Sequence, residues 1–285
     1  VSVMAGTDRR SMVYTALKPF EDEVRKAVRG RRVIVKPNMV VVTEPLCATH
    51  ADALRGVLDF LGPIVKDEIL IAESTISKEG SLKGFENYGY LPLVKEYRVS
   101  FADLNARPST MAWILGKDHH PLGIRIISDF LDPKNYFVSV CRLKTHDTVV
   151  ATLTAKNMLM AAPLNDYTKS DKSLMHQGFK EMNWNLFQLA SGIRPGLAVL
   201  NGVEGMQGNG PVRGIPCPHG VVAAGTDFVA VDCIGTQLMG IPFEDVGYLT
   251  YCANAGYGCG DRSKIEIIGE DPSKHVVRYK LHETV

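Results

Sequence analysis

The chain has 285 residues, with 32 Lys and Arg against 31 Asp and Glu, 45% hydrophobic and 22% charged residues, and 26 Gly. A chain this long buries about three quarters of its unfolded surface, and a formal charge of +1 excludes an extended footprint for nucleic acid or anionic membrane while a local basic site stays open. No run approaches the roughly 18 apolar residues of a membrane span, the opening Val1 to Gly6 reads as a strand rather than a secretory leader, and six scattered cysteines without a CxxC pair indicate a reducing, cytoplasmic setting.

In chain order, strands are expected near Val1–Met4, Val33–Lys36, Glu68–Ala72, Val99–Leu104, Tyr136–Cys141, Leu197–Asn201, Gly220–Ala224 and Ile265–Ile268. Most are unbroken apolar runs, the pattern of strands covered on both faces. Between them, helices are expected over Ser11–Arg29 (capped by Ser11, ended by Gly30), His50–Leu61, Leu91–Tyr97, Phe179–Ser191, Asp227–Met239 and Phe243–Asn254. The alternation predicts an α/β fold: a mostly parallel central sheet with helices on both faces, over residues 1–285 as one domain or two lobes. Two stretches break the rhythm. Residues 105–129, with Trp113, His119 and His120, are a candidate hairpin or lid, and polar residues 163–178 read as a mobile loop.

In open α/β sheets ligands bind beyond the carboxyl ends of the strands. Here six strand ends carry polar groups and are expected to point to one rim: Lys36-Pro37-Asn38, Glu73-Ser74-Thr75, Asp103-Leu104-Asn105, Arg142-Leu143-Lys144-Thr145-His146, Asn201-Gly202-Val203-Glu204 and Gly225-Thr226-Asp227. Helix capping accounts for many Ser, Thr, Asn and Asp at such places. It does not account for Lys36 and Lys144, whose charges at the ends of apolar strands require an answering anion. Lys156-Asn157 returns a further lysine if the segment after Thr148–Thr154 is a short helix. Together Lys36, Lys144 and Lys156 form a candidate anion site, with Thr145 beside them. His146 is the candidate proton carrier, and Asn38, Asn157 and Asp227 are candidate orienting groups. Lys144 and Lys156 are also candidate catalytic lysines, because nearby cations depress a lysine pKa.

Cys47, His50, His146 and His176 include candidate metal ligands, above all His50 and His146, since thiolate and imidazole suit zinc, nickel or iron. None of their spacings matches a zinc motif. The glycine-rich segment Gly205 to Gly214 matches neither a Walker motif nor GxGxxG; a tight surface turn and a backbone cradle at Gly208 and Gly210 for a phosphate-bearing, nucleotide-like cofactor are equal readings of it. Asp227 and Asp232 lie about 140° apart on a helix and do not form a carboxylate pair. There is no GxSxG elbow, no HExxH and no clustered cysteine motif for an iron–sulfur centre.

Val35-Lys36-Pro37-Asn38, Ala48-Thr49-His50, Gly89-Tyr90, Lys144-Thr145-His146, Thr152 to Asn157, Gly208 to Gly214, Ala224 to Asp227 and Ala230-Val231-Asp232 together resemble the prokaryotic family catalogued as domain of unknown function 362. The resemblance runs from about residue 33 to 250. It implies an α/β domain whose relatives often carry ferredoxin-type cysteines, so a ferredoxin-like or other iron–sulfur protein is a candidate partner for this chain, which lacks them. A fainter likeness, resting on His50, His146 and Lys156, is to nickel-dependent lactate racemases, and implies a metal-assisted isomerase. The expected function is an enzyme, oxidoreductase or isomerase, that holds a small anionic ligand in a Lys/His cleft and transfers a proton or an electron. A non-catalytic anion-binding module is the alternative. The apolar faces of the last two helices are a candidate homodimer surface.

Overall fold

The computed structural model describes residues 1–285. Runs such as Val33–Val35 and Ile69–Ala72 are buried on both faces, and strands of this kind build a nine-stranded sheet. The strands and helices are, in chain order, β1 (Ser2–Ala5), α1 (Arg9–Leu17), α2 (Glu21–Ala27), β2 (Arg32–Pro37), α3 (Ala51–Leu61), β3 (Ile69–Glu73), α4 (Gly80–Asn87), α5 (Leu93–Glu96), β4 (Val99–Asp103), β5 (Ser109–Leu115), β6 (Pro121–Ile127), β7 (Asn135–His146), β8 (Val150–Thr152), α6 (Thr154–Leu159), α7 (Asp171–Leu174), α8 (Phe179–Ala190), β9 (Leu197–Asn209), β10 (Arg213–Gly225), α9 (Phe228–Leu238), α10 (Gly247–Asn254) and β11 (Ile268–Gly269). The sheet order is β11-β1-β10-β9-β7-β2-β3-β4, with β8 folded back onto the end of β7.

From β9 to β4 the strands are parallel. β10 runs antiparallel to both β9 and β1. This corrects the expectation of six strand ends on one rim: Asp227, just after β10, lies at the opposite rim from the ends of β2, β3 and β7. The long β9–β10 hairpin is the physical cause, because a strand joined by a tight turn must return antiparallel.

Side chains alternate across the sheet. Ile34, Phe137, Cys141 and Leu200 join the larger apolar layer with α8, α9 and α10. Val33, Val35, Val138 and Val199 join the other layer with α1 and α3. The expected first helix is divided at Lys18–Phe20, a 3-10 turn holding Pro19, which can neither donate a backbone hydrogen bond nor avoid the preceding carbonyl in a helix interior. Its cap is Asp8, which accepts from the Ser11 N–H at 3.1 Å, rather than Ser11. Phe243–Asn254 likewise divides into a 3-10 turn and α10.

Residues 105–129 contain the β5–β6 hairpin, anchored through Ile114, Ile124, Ile126 and Ile127 in the larger core layer. Residues 163–178 contain α7, with Asp171 and Lys172 buried. There Arg125 of β6 donates to Asp171 from its Nε at 2.8 Å, so two segments that were polar in sequence are tied together by a charge pair. Almost every residue of α9 is buried within the chain, which leaves that helix no free apolar face for a homodimer. No helix is long and apolar enough to cross a membrane.

Candidate functional site: a lysine cavity at the strand ends

β2 delivers Lys36 and Asn38, β3 delivers Glu73, and β7 delivers Lys144 and His146 to neighbouring strand ends. Helix α6 lies over them because β8 turns the chain back and Asp232 of α9 secures the first turn of α6. The Asp232 carboxylate accepts from the Thr154 and Ala155 N–H groups, each at 2.9 Å, and from the Thr154 hydroxyl at 2.6 Å. These donors would otherwise be orphaned at a buried helix start. The strand ends, α6, α7 and the tip of the β9–β10 hairpin enclose a cavity of about 390 Å³, lined by Lys36, Asn38, Glu73, His146, Lys156 and Lys172 among others.

A buried polar ladder forms its floor. Lys36 donates to Glu73 Oε2 at 2.8 Å, to Asn157 Oδ1 at 2.8 Å and to the Pro37 carbonyl at 2.7 Å. Asn38 Nδ2 donates to the same Asn157 oxygen at 3.0 Å, while Asn38 Oδ1 accepts from Lys144 at 2.6 Å. Asn157 Nδ2 donates to Ser139 Oγ at 3.0 Å. The two asparagines thus connect two lysines and hold Asn157 on α6 against β2 and β7. Lys36 has filled all three donor positions. Burial lowers its pKa and the Glu73 charge opposes that shift.

Lys144 is fully buried beneath the ladder and is not part of the cavity wall. Burial pushes its pKa down to about 8. Lys172 reaches in from α7 and donates to Ser74 Oγ and the Met160 and Ala161 carbonyls at 2.8 to 3.1 Å; burial brings it to about 7. Lys156 differs from these three. It lines the cavity, is 6% exposed, and has no hydrogen-bond or ion-pair partner. Burial first and the Lys144 charge second push it down to about 7, with Asp147 opposing. The hydroxyl of Thr152, also on the wall, is buried without a partner.

His146 is 2% exposed, and burial, reinforced by Lys156, drives its pKa down to about 3. It is therefore neutral near pH 7. Its Nδ1 lies 2.9 Å from Asp147 Oδ1 and 3.1 Å from the Thr148 N–H. The ring stacks on His176, centroids 6.4 Å apart, and burial lowers the His176 pKa as well. A turn with Val150 at φ 65° closes this corner, a backbone conformation that β-branched residues rarely adopt.

Other candidates lie elsewhere. Thr145 points away from the cavity and donates to the Gly208 carbonyl at 2.8 Å. Gly208 and Gly210 do not form an anion cradle: their N–H groups donate to the Lys280 and Gly208 carbonyls. Glycine at 210 serves close packing, since a Cβ there would stand 2.2 Å from the Thr145 carbonyl oxygen. The same hairpin tip contributes Pro211 and Val212 to the wall. Asp227 caps α9 through the Ala230 N–H at 3.0 Å and also accepts from the Cys259 N–H at 2.8 Å.

His50 is the N-cap of α3, accepting the Asp52 N–H at 3.1 Å, and is absent from the wall on which His146 stands. Cys47 is buried, with its Sγ 3.2 Å from the Pro211 carbonyl. No group of three or more His, Cys, Asp or Glu side chains is arranged to hold a metal ion. His50 and His146 do not stand on one wall of the cavity.

Lys172, Glu73 and Thr152 were not among the site residues expected from sequence. Glu73 was legible as a polar residue ending an apolar strand. Lys172 carried no local signal, because one lysine in a polar stretch resembles solvent-facing chain.

Residues 33–237 match the family described as Domain of unknown function (DUF362). A curated relative, a thylakoid-associated protein of Synechocystis sp., is 26% identical over 235 residues, 79% of this chain and 68% of that protein. A Thermotoga maritima crystal structure aligns with 88% of this chain at 11% identity and a TM-score of 0.41, and the chain spans 59% of its length.

Proposed function

The chain belongs to the DUF362 family, and we propose that its strand-end cavity binds a small anion, a carboxylate or phosphate, with which Lys156 exchanges a proton. The observation that carries this reading is Lys156 itself: a buried amine on a cavity wall with no partner. An uncompensated cation in such a place is costly, and an anion in the cavity removes the cost. On the wall Lys36 is answered by Glu73 and Lys172 is held by three acceptors, so Lys156 is the cation left for an anion to answer, and the unpartnered Thr152 hydroxyl offers a donor.

The proton role moves from His146 to Lys156. A group near pKa 7 is half-protonated at neutral pH and serves as acid or base, whereas His146 stays neutral. The charged and titratable groups facing Lys156 are Lys144 and His146 of β7, Asp147 after it, Lys172 of α7 and His176. Of these only Asp147 favours its ammonium. An added anion raises the Lys156 pKa, so binding above pH 7 takes up a proton.

Isothermal titration of the full chain with inorganic phosphate and with lactate at pH 8, in two buffers of different ionisation heat, tests this. The expected result is binding with uptake of about one proton, and loss of that uptake in Lys156→Met. Absence of binding by either anion, or binding without proton uptake, refutes the proposal.

A further inference from the structure

Lys156 is placed as a nucleophile as well as an acid–base group. We infer that the cavity takes a carbonyl compound bearing a carboxylate or phosphate, such as a 2-oxo acid or a phosphorylated aldehyde, and that Lys156 Nζ forms an imine with its carbonyl carbon. The inference rests on the anion-binding reading above and adds to it the chemical class of the ligand.

Geometry separates Lys156 from every other lysine of the site. Lys36 and Lys172 each spend three donor contacts on fixed acceptors. Lys144 is tied to Asn38 and lies off the wall. A lysine ammonium held by three acceptors has no lone pair to offer. Lys156 is held by none, and α6 is itself fixed by Asp232 and by the Asn157 ladder. The amine is therefore free while its backbone is not, which is the arrangement a nucleophile requires. The cavity of about 390 Å³ accommodates a ligand of a few heavy atoms, and the unpartnered Thr152 hydroxyl on its wall offers a donor to the anionic end.

The Nζ lone pair forms a bond to the carbonyl carbon as the carbonyl π pair moves to oxygen, and a proton passes from nitrogen to that oxygen. The resulting hydroxyl takes one further proton and leaves as water, with C=N formed and its nitrogen protonated. Amine, carbonyl compound and one proton thus give a protonated imine and water. Near pH 7 about half of Lys156 is free amine, against roughly one part in a few thousand for an exposed lysine. In the empty cavity the free-amine fraction is therefore about a thousandfold larger at this residue; the anionic end of the ligand raises the pKa again and narrows that advantage.

Incubation of the full chain with pyruvate, and separately with glycolaldehyde phosphate, in the presence of cyanoborohydride would trap the imine as a secondary amine. Peptide mass mapping then locates the adduct without any variant. The expected result is one dominant adduct, on Lys156, whose rate rises between pH 6 and 8 and which excess inorganic phosphate suppresses. Lys156→Arg, which cannot form an imine, loses the adduct. Adducts spread over surface lysines, or none on Lys156 with either probe, overturn the inference. If titration still shows phosphate binding with proton uptake in that case, the anion reading survives; if that binding is absent too, both fall.

Discussion

Replacing Lys156 by methionine should make the free protein more stable. Methionine is close to lysine in length and apolar, so it occupies the same space without carrying a charge into the interior. The lysine pKa falls from 10.5 to about 7 on folding. At about 1.4 kcal/mol per unit this corresponds to a cost near 5 kcal/mol when the folded state is held protonated. Water in the cavity solvates part of the ammonium, and a gain of about 2 to 3 kcal/mol is the working figure. For a chain of this size that is a rise of roughly 4 to 6 °C in Tm.

The sign with pH follows from linkage. A base whose folded pKa is depressed costs stability in full below its folded pKa, progressively less as pH rises toward 10.5, and nothing beyond. The advantage of Lys156→Met is therefore largest at pH 6 to 7 and fades toward pH 10. Differential scanning calorimetry at several pH values, with and without phosphate, reads both effects. At a hundredfold excess over Kd, phosphate adds about 2.7 kcal/mol to the wild type, and it should add little to the variant. A variant with equal or lower Tm at pH 6.5, or an advantage independent of pH, would refute the claim that Lys156 is an uncompensated buried base.

Further substitutions probe the frame. Glu73→Gln removes the charge facing Lys36 in a pair 1% and 3% exposed, and should cost about 3 to 5 kcal/mol; Glu73→Leu with Lys36→Met should restore most of it, as chemical denaturation would show. Asp232→Ala orphans the Thr154 and Ala155 amides and should cost about 2 to 4 kcal/mol; because α6 carries Lys156, phosphate titration should weaken in parallel, and Asp232→Asn, which keeps an acceptor, should lose less. Gly210→Ala forces a Cβ against the Thr145 carbonyl at 2.2 Å, so the hairpin tip must shift. Lower Tm and weaker phosphate binding are expected, since Pro211 and Val212 belong to the wall.

Much of the scaffold was legible because local chemistry and tertiary structure agree along β2, β3, β4 and β7, where continuous apolar runs end in polar residues. Asp227 as the start of α9 was legible for the same reason. The direction of β10 was not. An apolar strand has no polarity in its composition, and the signal that is present, Gly208-Asn209-Gly210-Pro211 between two long segments, fits a tight turn and an anion cradle equally well. His50 and His146 looked alike in sequence, yet His50 ends up capping α3 and His146 is buried beside a lysine. Burial decides what an imidazole does, and burial is a tertiary property. Asp232 and Lys172 show the same limit: their partners lie 78 and 98 residues away, beyond the reach of spacing arguments.

The central claim is that an anion sits against Lys156. Crystals soaked in selenate and measured near the selenium absorption edge would locate that anion by its anomalous signal. The account predicts a peak inside the cavity, within hydrogen-bond distance of Lys156 Nζ, absent from Lys156→Met crystals treated alike. A cavity without a peak, or one whose peak is unchanged by that substitution, would contradict it.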